Sequence, residues 1–194
     1  GTRRGLREGA IMNIGVKLIA TLFAMGCALV MQGCASDVTF ETNKAPGYTV
    51  HPGRLFIITT MTIDLNGSIA SFRSNFKKML DQCGVDSMWF AADPHADPED
   101  QKIAVQDEAR GFQPDEALSV RETSYVTSTR YGIERINYAL ELVDLGSRKP
   151  VWKANARVLT SMSRIFDYGD IFAKHLKEQL QREGILADCA PAKS

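Results

Sequence analysis

The sequence predicts an α/β fold: a mixed sheet of about five strands with helices packed on it. Three observations support this prediction. Residues 54–63 (RLFIITTMTI) are apolar at both alternate sets of positions, which is typical of a central strand covered on both faces. Amphipathic helical stretches separate the first strands and end the chain. Three alternating strands lie between residues 117 and 160, so the predicted order is β-α-β-α-β-β-β-α, with a parallel start and an antiparallel meander.

The first strand leads into a helix and then a second strand. Asn66-Gly67-Ser68 turns the chain and can cap a helix, and Gly84 ends it. Apolar residues follow helical spacing between these points: Ile69, Phe72, Phe76, Met79, Leu80 and Cys83. Residues 85–92 (VDSMWFAA) are predicted to form the second strand, in which Trp89 is better explained as a core or edge residue than as a ligand platform.

An acidic stretch follows at residues 93–100 (DPHADPED). Its carboxylates and His95 could hold a cation, but their spacing matches no calcium loop. A structural explanation fits better: Asp97 caps a helix, Pro98 is its first residue, and Glu99 and Asp100 complement the positive end of the helix dipole. We therefore predict no metal site, and a helix that continues to Arg110 and stops at Gly111.

The meander is predicted from residues 117–128, 133–144 and 151–160, with residues 146–150 as the second hairpin loop. Alternation is clearest in the third strand, where Trp152, Ala154, Ala156 and Val158 oppose Lys153, Asn155 and Arg157. Such a pattern predicts one covered and one solvated face. A last amphipathic helix spans residues 170–183 and is ended by Gly184.

No catalytic constellation is present. The three histidines, His51, His95 and His175, lie far apart without a recognisable motif, and no Gly-rich phosphate loop, GxSxG, HExxH or CxxC occurs. We therefore expect the protein not to be an enzyme and to need no cofactor.

The stretch from Lys17 to Cys34 has the form of a bacterial export signal: a positive charge, an apolar run and Gly33-Cys34 before polar sequence. The apolar run is shorter than the roughly 20 residues that a membrane helix needs. Met31-Gln32-Gly33-Cys34 resembles a lipobox, which implies cleavage before Cys34 and a covalent lipid on its side chain. The alternatives are Cys27 as the acceptor, an ordinary cleaved signal, or an uncleaved anchor. Ala35 after the cysteine favours sorting to the outer membrane, with the protein facing the periplasm.

These features predict the domain organisation. Residues 1–33 comprise upstream sequence and the signal peptide, with Met12 as the start, and residues 34–53 form a flexible tether broken by proline and glycine. Residues 54–189 form a single domain, and residues 190–194 a tail. Residues 1–33 contain four of the 23 basic and one of the 23 acidic residues, so the remainder has a net charge of −3. No basic stripe occurs, which disfavours nucleic-acid binding.

Two cysteines remain after Cys34 is assigned to the lipid. Cys83 and Cys189 could form a disulfide in the oxidising periplasm or stay as two buried thiols.

The predicted order resembles the small α/β domain of several envelope lipoproteins and secretion factors, namely the amino-terminal domain of TolB, CsgG, LpoB and PelC. The most specific match is Leu142-Val143-Asp144, followed after a short turn by Val151-Trp152. This group commonly has Thr-Gly in that turn, where Ser147-Arg148 stands here. The resemblance covers about residues 54–186.

The resemblance implies a non-catalytic protein that binds partners. We expect an outer-membrane lipoprotein that acts as an accessory or assembly factor for an envelope complex, such as one for transport, polymer export or peptidoglycan synthesis. Its partners would be the membrane, through the lipid, and an envelope protein; some relatives also form homo-oligomers. The alternative is a periplasmic small-ligand or glycan-binding lipoprotein with a pocket near Trp89 or the acidic loop.

Overall fold

The computed structural model describes residues 38–65, 67–129, 132–160 and 167–189. The predicted signal peptide, Cys34 and the predicted tail lie outside these residues. The predicted α/β class is confirmed, with six strands in one mixed sheet rather than five, in the order β1-β6-β5-β4-β2-β3. The strands are β1 (Val38–Lys44), β2 (Arg54–Thr60), β3 (Asp86–Ala91), β4 (Glu116–Ser128), β5 (Gly132–Asp144) and β6 (Lys149–Leu159).

The three helices of the described residues are α1 (Ser68–Gln82), α2 (Pro98–Phe112) and α3 (Tyr168–Arg182). Their bounds lie within two residues of the prediction. Gly84 and Gly184 follow α1 and α3 with positive φ angles of 73° and 66°, as the predicted helix ends require. No helix in this part of the chain is long and apolar enough to cross a membrane.

The extra strand corrects the predicted tether. Residues 38–44 are not flexible, because β1 pairs antiparallel with β6 along its whole length, from Val38 opposite Val158 to Lys44 opposite Trp152. Only two of its seven residues, Val38 and Phe40, are apolar, so its sequence alone resembles a polar linker. Tertiary contacts supply what its propensity lacks, since the Thr42 hydroxyl donates to a Glu183 oxygen at 2.6 Å.

One face of the sheet, which we call the core face, is covered by α1 and α3. Ile57 of β2 lies opposite Leu118 of β4, and both pack with Leu55 in a single buried cluster. Aromatic rings connect the layers: Phe72 of α1 stacks on Phe172 of α3 at 5.0 Å between centroids, and Phe172 stacks on Tyr138 of β5 at 4.7 Å. The core is therefore continuous from one helix to the other and down to the sheet.

The opposite face is only partly covered. Helix α2 lies against β3, and the guanidinium of Arg54 sits 4.5 Å from the centre of the Phe112 ring. Phe56, which points to this face, is 1% exposed, so the prediction that β2 is buried on both sides is confirmed. β4, β5, β6 and β1 carry mostly polar side chains on this face, as the alternation of β6 predicted.

Helices α1 and α3 touch most closely at Gly169. A Cβ atom at this position would lie 2.1 Å from the backbone oxygen of Ser68 and 2.7 Å from the backbone nitrogen of Phe72. Neither atom belongs to a flexible side chain. The first turns of the two helices can therefore approach this closely only because residue 169 has no side chain.

We predict that Gly169→Ala destabilises the domain by about 2–4 kcal/mol, because a methyl group here forces the two helices apart. Urea unfolding followed by circular dichroism measures the change. Gly111→Ala in α2 is the matched control, since nothing lies within 4 Å of a Cβ there. It should leave stability unchanged or raise it by up to about 1 kcal/mol. Equal effects of the two substitutions would contradict the close contact.

Candidate functional site

Of the two alternatives that the sequence left open for Cys83 and Cys189, a disulfide and two buried thiols, the structure has the disulfide. Cys83 and Cys189 form a disulfide with their Cα atoms 4.8 Å apart and a sequence separation of 106 residues. Cys83 directly follows α1, and Cys189 lies in the segment after α3. The bond thus ties the end of the described chain to the end of the first helix, which restricts the unfolded chain across a long loop.

The five residues of the lipoprotein-like motif lie in the β5–β6 hairpin. Leu142 and Trp152 face each other across the two strands on the core face, and both are buried. Asp144 closes the turn, because its carboxylate accepts from the Gly146 N–H at 3.0 Å and from the Ser147 hydroxyl at 2.6 Å. These hydrogen bonds, led by that of the Ser147 hydroxyl, hold the pKa of Asp144 below its usual value. The motif is therefore a structural element of the hairpin.

The acidic stretch acts as a helix cap. Asp97 accepts hydrogen bonds from the backbone N–H groups of Glu99 and Asp100 at 2.8 and 3.3 Å, as predicted. Asp93 accepts from the backbone N–H of His95 at 2.8 Å. Among the residues that the structure describes, no group of three or more histidine, cysteine or acidic side chains is placed to hold a metal ion.

Trp89 does not offer a ligand platform. It is 8% exposed, and its ring makes edge contacts with Phe72 and Phe76 at 5.5 and 6.2 Å between centroids. The prediction of a core position is confirmed, whereas the proposed ligand pocket near Trp89 is not supported. The histidines also have separate local partners: His51 contacts the carbonyl of Ile185, and His175 contacts Glu178 on its own helix.

The part of the sheet that α2 leaves uncovered is accessible to solvent, and we call it the open face. It consists of the outward residues of four adjacent strands: Ser119, Arg121, Ala139, Glu141, Lys153, Asn155, Arg157, Thr39 and Glu41. The sequence predicted this surface through the alternation of β5 and β6. It did not predict that β1 would extend it by one strand.

Two shallow depressions lie on the open face. One, of about 320 Å³, is lined by polar and charged residues, among them Ser119, Arg121 and Glu141, and by apolar residues such as Ile58 and Val143. The other, of about 240 Å³, is lined by Thr39, Glu41, Thr123, Asn137, Asn155 and Arg157. Both signs of charge occur, and Lys153 pairs with Glu141 at 2.9 Å. The surface can therefore form many hydrogen bonds and ion pairs with a flat polar partner, but it shows no paired nucleophile and base.

Glu116 and Tyr48 form a second notable group, on the core face and at the end of the sheet opposite to the β4–β5 turn. Glu116, at the start of β4, faces the core and is only 1% exposed. The Tyr48 hydroxyl donates to one of its carboxylate oxygens, and the other has no hydrogen-bond partner among the described residues. Burial, aided by the nearby charge of Asp144, raises the pKa of Glu116 to about 7.

Sequence reasoning missed Glu116 because the predicted strand began one residue later. Extending the alternation of Leu118 and Val120 backwards by one step places residue 116 on the apolar side. A carboxyl group on the apolar side of a strand is the signal that could have identified it.

We predict that the folded protein loses stability as the pH rises from about 4.5 to about 7. Glu116 retains its proton in the folded state throughout this interval, whereas in the unfolded chain it ionises near 4.5. The loss from this group amounts to at most roughly 3 kcal/mol. Glu116→Gln should flatten this dependence and be the more stable protein at pH 8, measured by urea unfolding across the pH range.

Glu141→Gln is the control for the loss of a negative charge, because Glu141 lies on the solvated side of the same sheet beside Lys153. It should leave the pH dependence as it is in the unchanged protein. A Glu116→Gln variant with an unaltered pH profile would show that the buried carboxyl group is not responsible.

Comparison with known proteins gives no family assignment. No protein-family model and no curated protein sequence matches the chain. The structurally similar proteins include the PelC dodecamer from Paraburkholderia phytofirmans, at 17% identity and a TM-score of 0.48 over 72% of this chain and 95% of that one. They also include lipoprotein GNA1162 from Neisseria meningitidis, at 14% identity and a TM-score of 0.39 over 66% of this chain and 98% of that one. At these identities and TM-scores, the matches do not place the chain in a family.

Proposed function

We propose that the protein is a bacterial envelope lipoprotein, anchored in the outer membrane through Cys34, whose α/β domain is a non-catalytic docking module for a protein of an envelope complex. The observation that carries the proposal is the stretch from Lys17 to Cys34, in which a short apolar run ends at a cysteine directly before polar sequence. Several acyl chains on one cysteine hold a protein stably, because a single chain gives only marginal membrane binding.

The open face supports the docking role. It spans four strands, so it is about 19 Å wide at the spacing of strands in a sheet. Its side chains carry both charges, with Arg121 and Arg157 alongside Glu41 and Glu141. A broad, shallow and mixed polar surface is typical of a protein interface, whereas small-molecule sites are concave and mostly apolar.

We expect a fatty acid with an alkyne label to be incorporated into the full-length chain in bacterial cells. Cys34→Ser should abolish the label, because it removes the thiol that accepts the lipid. Cys27→Ser is the matched control and should retain the label, since Cys27 lies within the apolar run that is cleaved away. If the label survives Cys34→Ser but not Cys27→Ser, Cys27 is the residue that carries the lipid. An absence of label in all three proteins would refute the lipid anchor.

For the docking role, we expect a photoreactive amino acid in place of Asn155, on the open face, to crosslink to one defined envelope protein in cells. Replacing Lys174, an exposed residue of α3 on the covered side, is the matched control and should give no product. Arg157→Glu should weaken the Asn155 crosslink by reversing a charge beside it. A product at twice the mass would identify a second copy of the chain, and equal crosslinking from both positions would contradict a role of the open face.

The second candidate, a glycan-binding lipoprotein, is favoured by one observation. The 240 Å³ depression is lined by amide and hydroxyl side chains, which suit sugar hydroxyl groups. A glycan-binding function predicts a saturable rise in melting temperature with soluble peptidoglycan fragments. Asn137→Ala should reduce this rise. The docking proposal predicts no such rise.

A further inference from the structure

The position of β1 limits how far the domain can lie from its anchor. Val38 is the first residue of the strand, and Cys34 is only four residues before it. Four residues of fully extended chain span at most about 14 Å. If Cys34 carries the lipid, as proposed above, the folded domain begins within that distance of the membrane surface.

The strand register shows at which end of the sheet β1 begins. Val38 lies opposite Val158 of β6, and Val158 lies opposite Ile136 of β5, so the three residues form one row. β1 starts at this row and runs away from the β4–β5 hairpin, so its first residue lies at the end of the sheet from which that hairpin extends. Gly132 is four residues beyond Ile136, which corresponds to about 13 Å along a strand. The hairpin therefore extends about as far beyond this row of residues as Cys34 can lie from Val38.

Three exposed apolar side chains lie at this end of the sheet. Tyr125 is 50% exposed, Val126 36% and Leu159 48%, and together they are half of the large apolar side chains that are exposed in the described residues. Val126 lies opposite Arg135, which in turn lies opposite Leu159, so an arginine stands between two exposed aliphatic side chains. The Thr160 N–H donates to the carbonyl of Glu134 at 2.8 Å, which keeps the end of β6 attached to the hairpin.

These residue types suit the interface of a phospholipid bilayer. Tyrosine is enriched at the level of the headgroups, and aliphatic side chains gain by leaving water. A guanidinium group is attracted to anionic lipid headgroups. Towards the other end of the sheet, the described residues have two exposed large apolar side chains, Leu145 in the β5–β6 turn and Val50 in the segment before β2.

We propose that the β4–β5 end of the sheet, with Val126, Arg135 and Leu159 on one face and Tyr125 on the other, rests on the phospholipid surface into which the lipid of Cys34 inserts. This inference rests on the lipoprotein proposal and adds an orientation to it. The domain stands on this end, with the β5–β6 turn about 30 Å farther out, since Leu145 is nine residues from Ile136 along the chain. The open face then runs from the bilayer towards the periplasm and stays accessible to a partner.

The test uses full-length acylated protein, purified from membranes and reconstituted into vesicles of phosphatidylethanolamine and phosphatidylglycerol. A single added cysteine at Val126→Cys carries an environment-sensitive fluorophore, and a headgroup-labelled nitroxide lipid quenches it. Leu145→Cys is the matched control, because both side chains are 36% exposed. Leu159→Cys is a second reporter if Val126→Cys does not fold.

We expect several-fold stronger quenching at residues 126 and 159 than at residue 145. Equal quenching at both ends would mean that the sheet lies flat, and no quenching at 126 and 159 would mean that this end avoids the bilayer. Either result, with acylated Cys34 verified by mass spectrometry, overturns the orientation and leaves the lipoprotein proposal standing. Absence of the acyl group overturns both.

Discussion

The width of the sheet relative to its helices is the constraint on which the rest of the structure depends. Six strands spaced about 4.8 Å apart are wider than two helices, each about 10 Å across, can fully cover. On the core face, α1 contacts β3 and α3 contacts β1, so the two helices together reach both edge strands. They touch backbone to backbone at Gly169. On the other face only α2 is present among the described residues, and one helix shields about two strands.

The uncovered strands follow from this arrangement. β2 and β3 lie under α2 and are apolar towards it, whereas β4, β5, β6 and β1 present charged and amide side chains to solvent. Polar side chains let this sheet face remain in contact with water, and a polar, shallow surface is suited to binding another macromolecule rather than enclosing a small molecule. The docking proposal depends on this asymmetry of the two faces, and the membrane-facing orientation depends on the position of β1 at the edge.

The core face accommodates two polar features in different ways. The hydroxyls of Tyr138 and Tyr168 lie 2.5 Å apart, so each buried group has a partner, and burial raises the pKa of both. Glu116 has a partner for only one oxygen, and its burial is tolerated because the group can hold a proton near neutral pH. The fold can therefore accommodate the carboxyl group of Glu116 on the apolar side of β4 without a cation beside it.

The sequence by itself determined the helices, five of the strands and the polarity of the open face, because those depend on local periodicity and on glycine at helix ends. The alternation of Lys153, Asn155 and Arg157 with alanine and valine can be recognised without knowing which strands lie beside β6. The export signal and the candidate lipid site at Cys34 are likewise local patterns. Only the tertiary structure decided that residues 38–44 are a strand, because their pairing energy comes from β6, more than 100 residues away. It also decided that Cys83 meets Cys189, and that Tyr125, Val126 and Leu159 share one end of the sheet with Val38. Such contacts depend on how the helices and strands pack and pair, and not on a local sequence pattern.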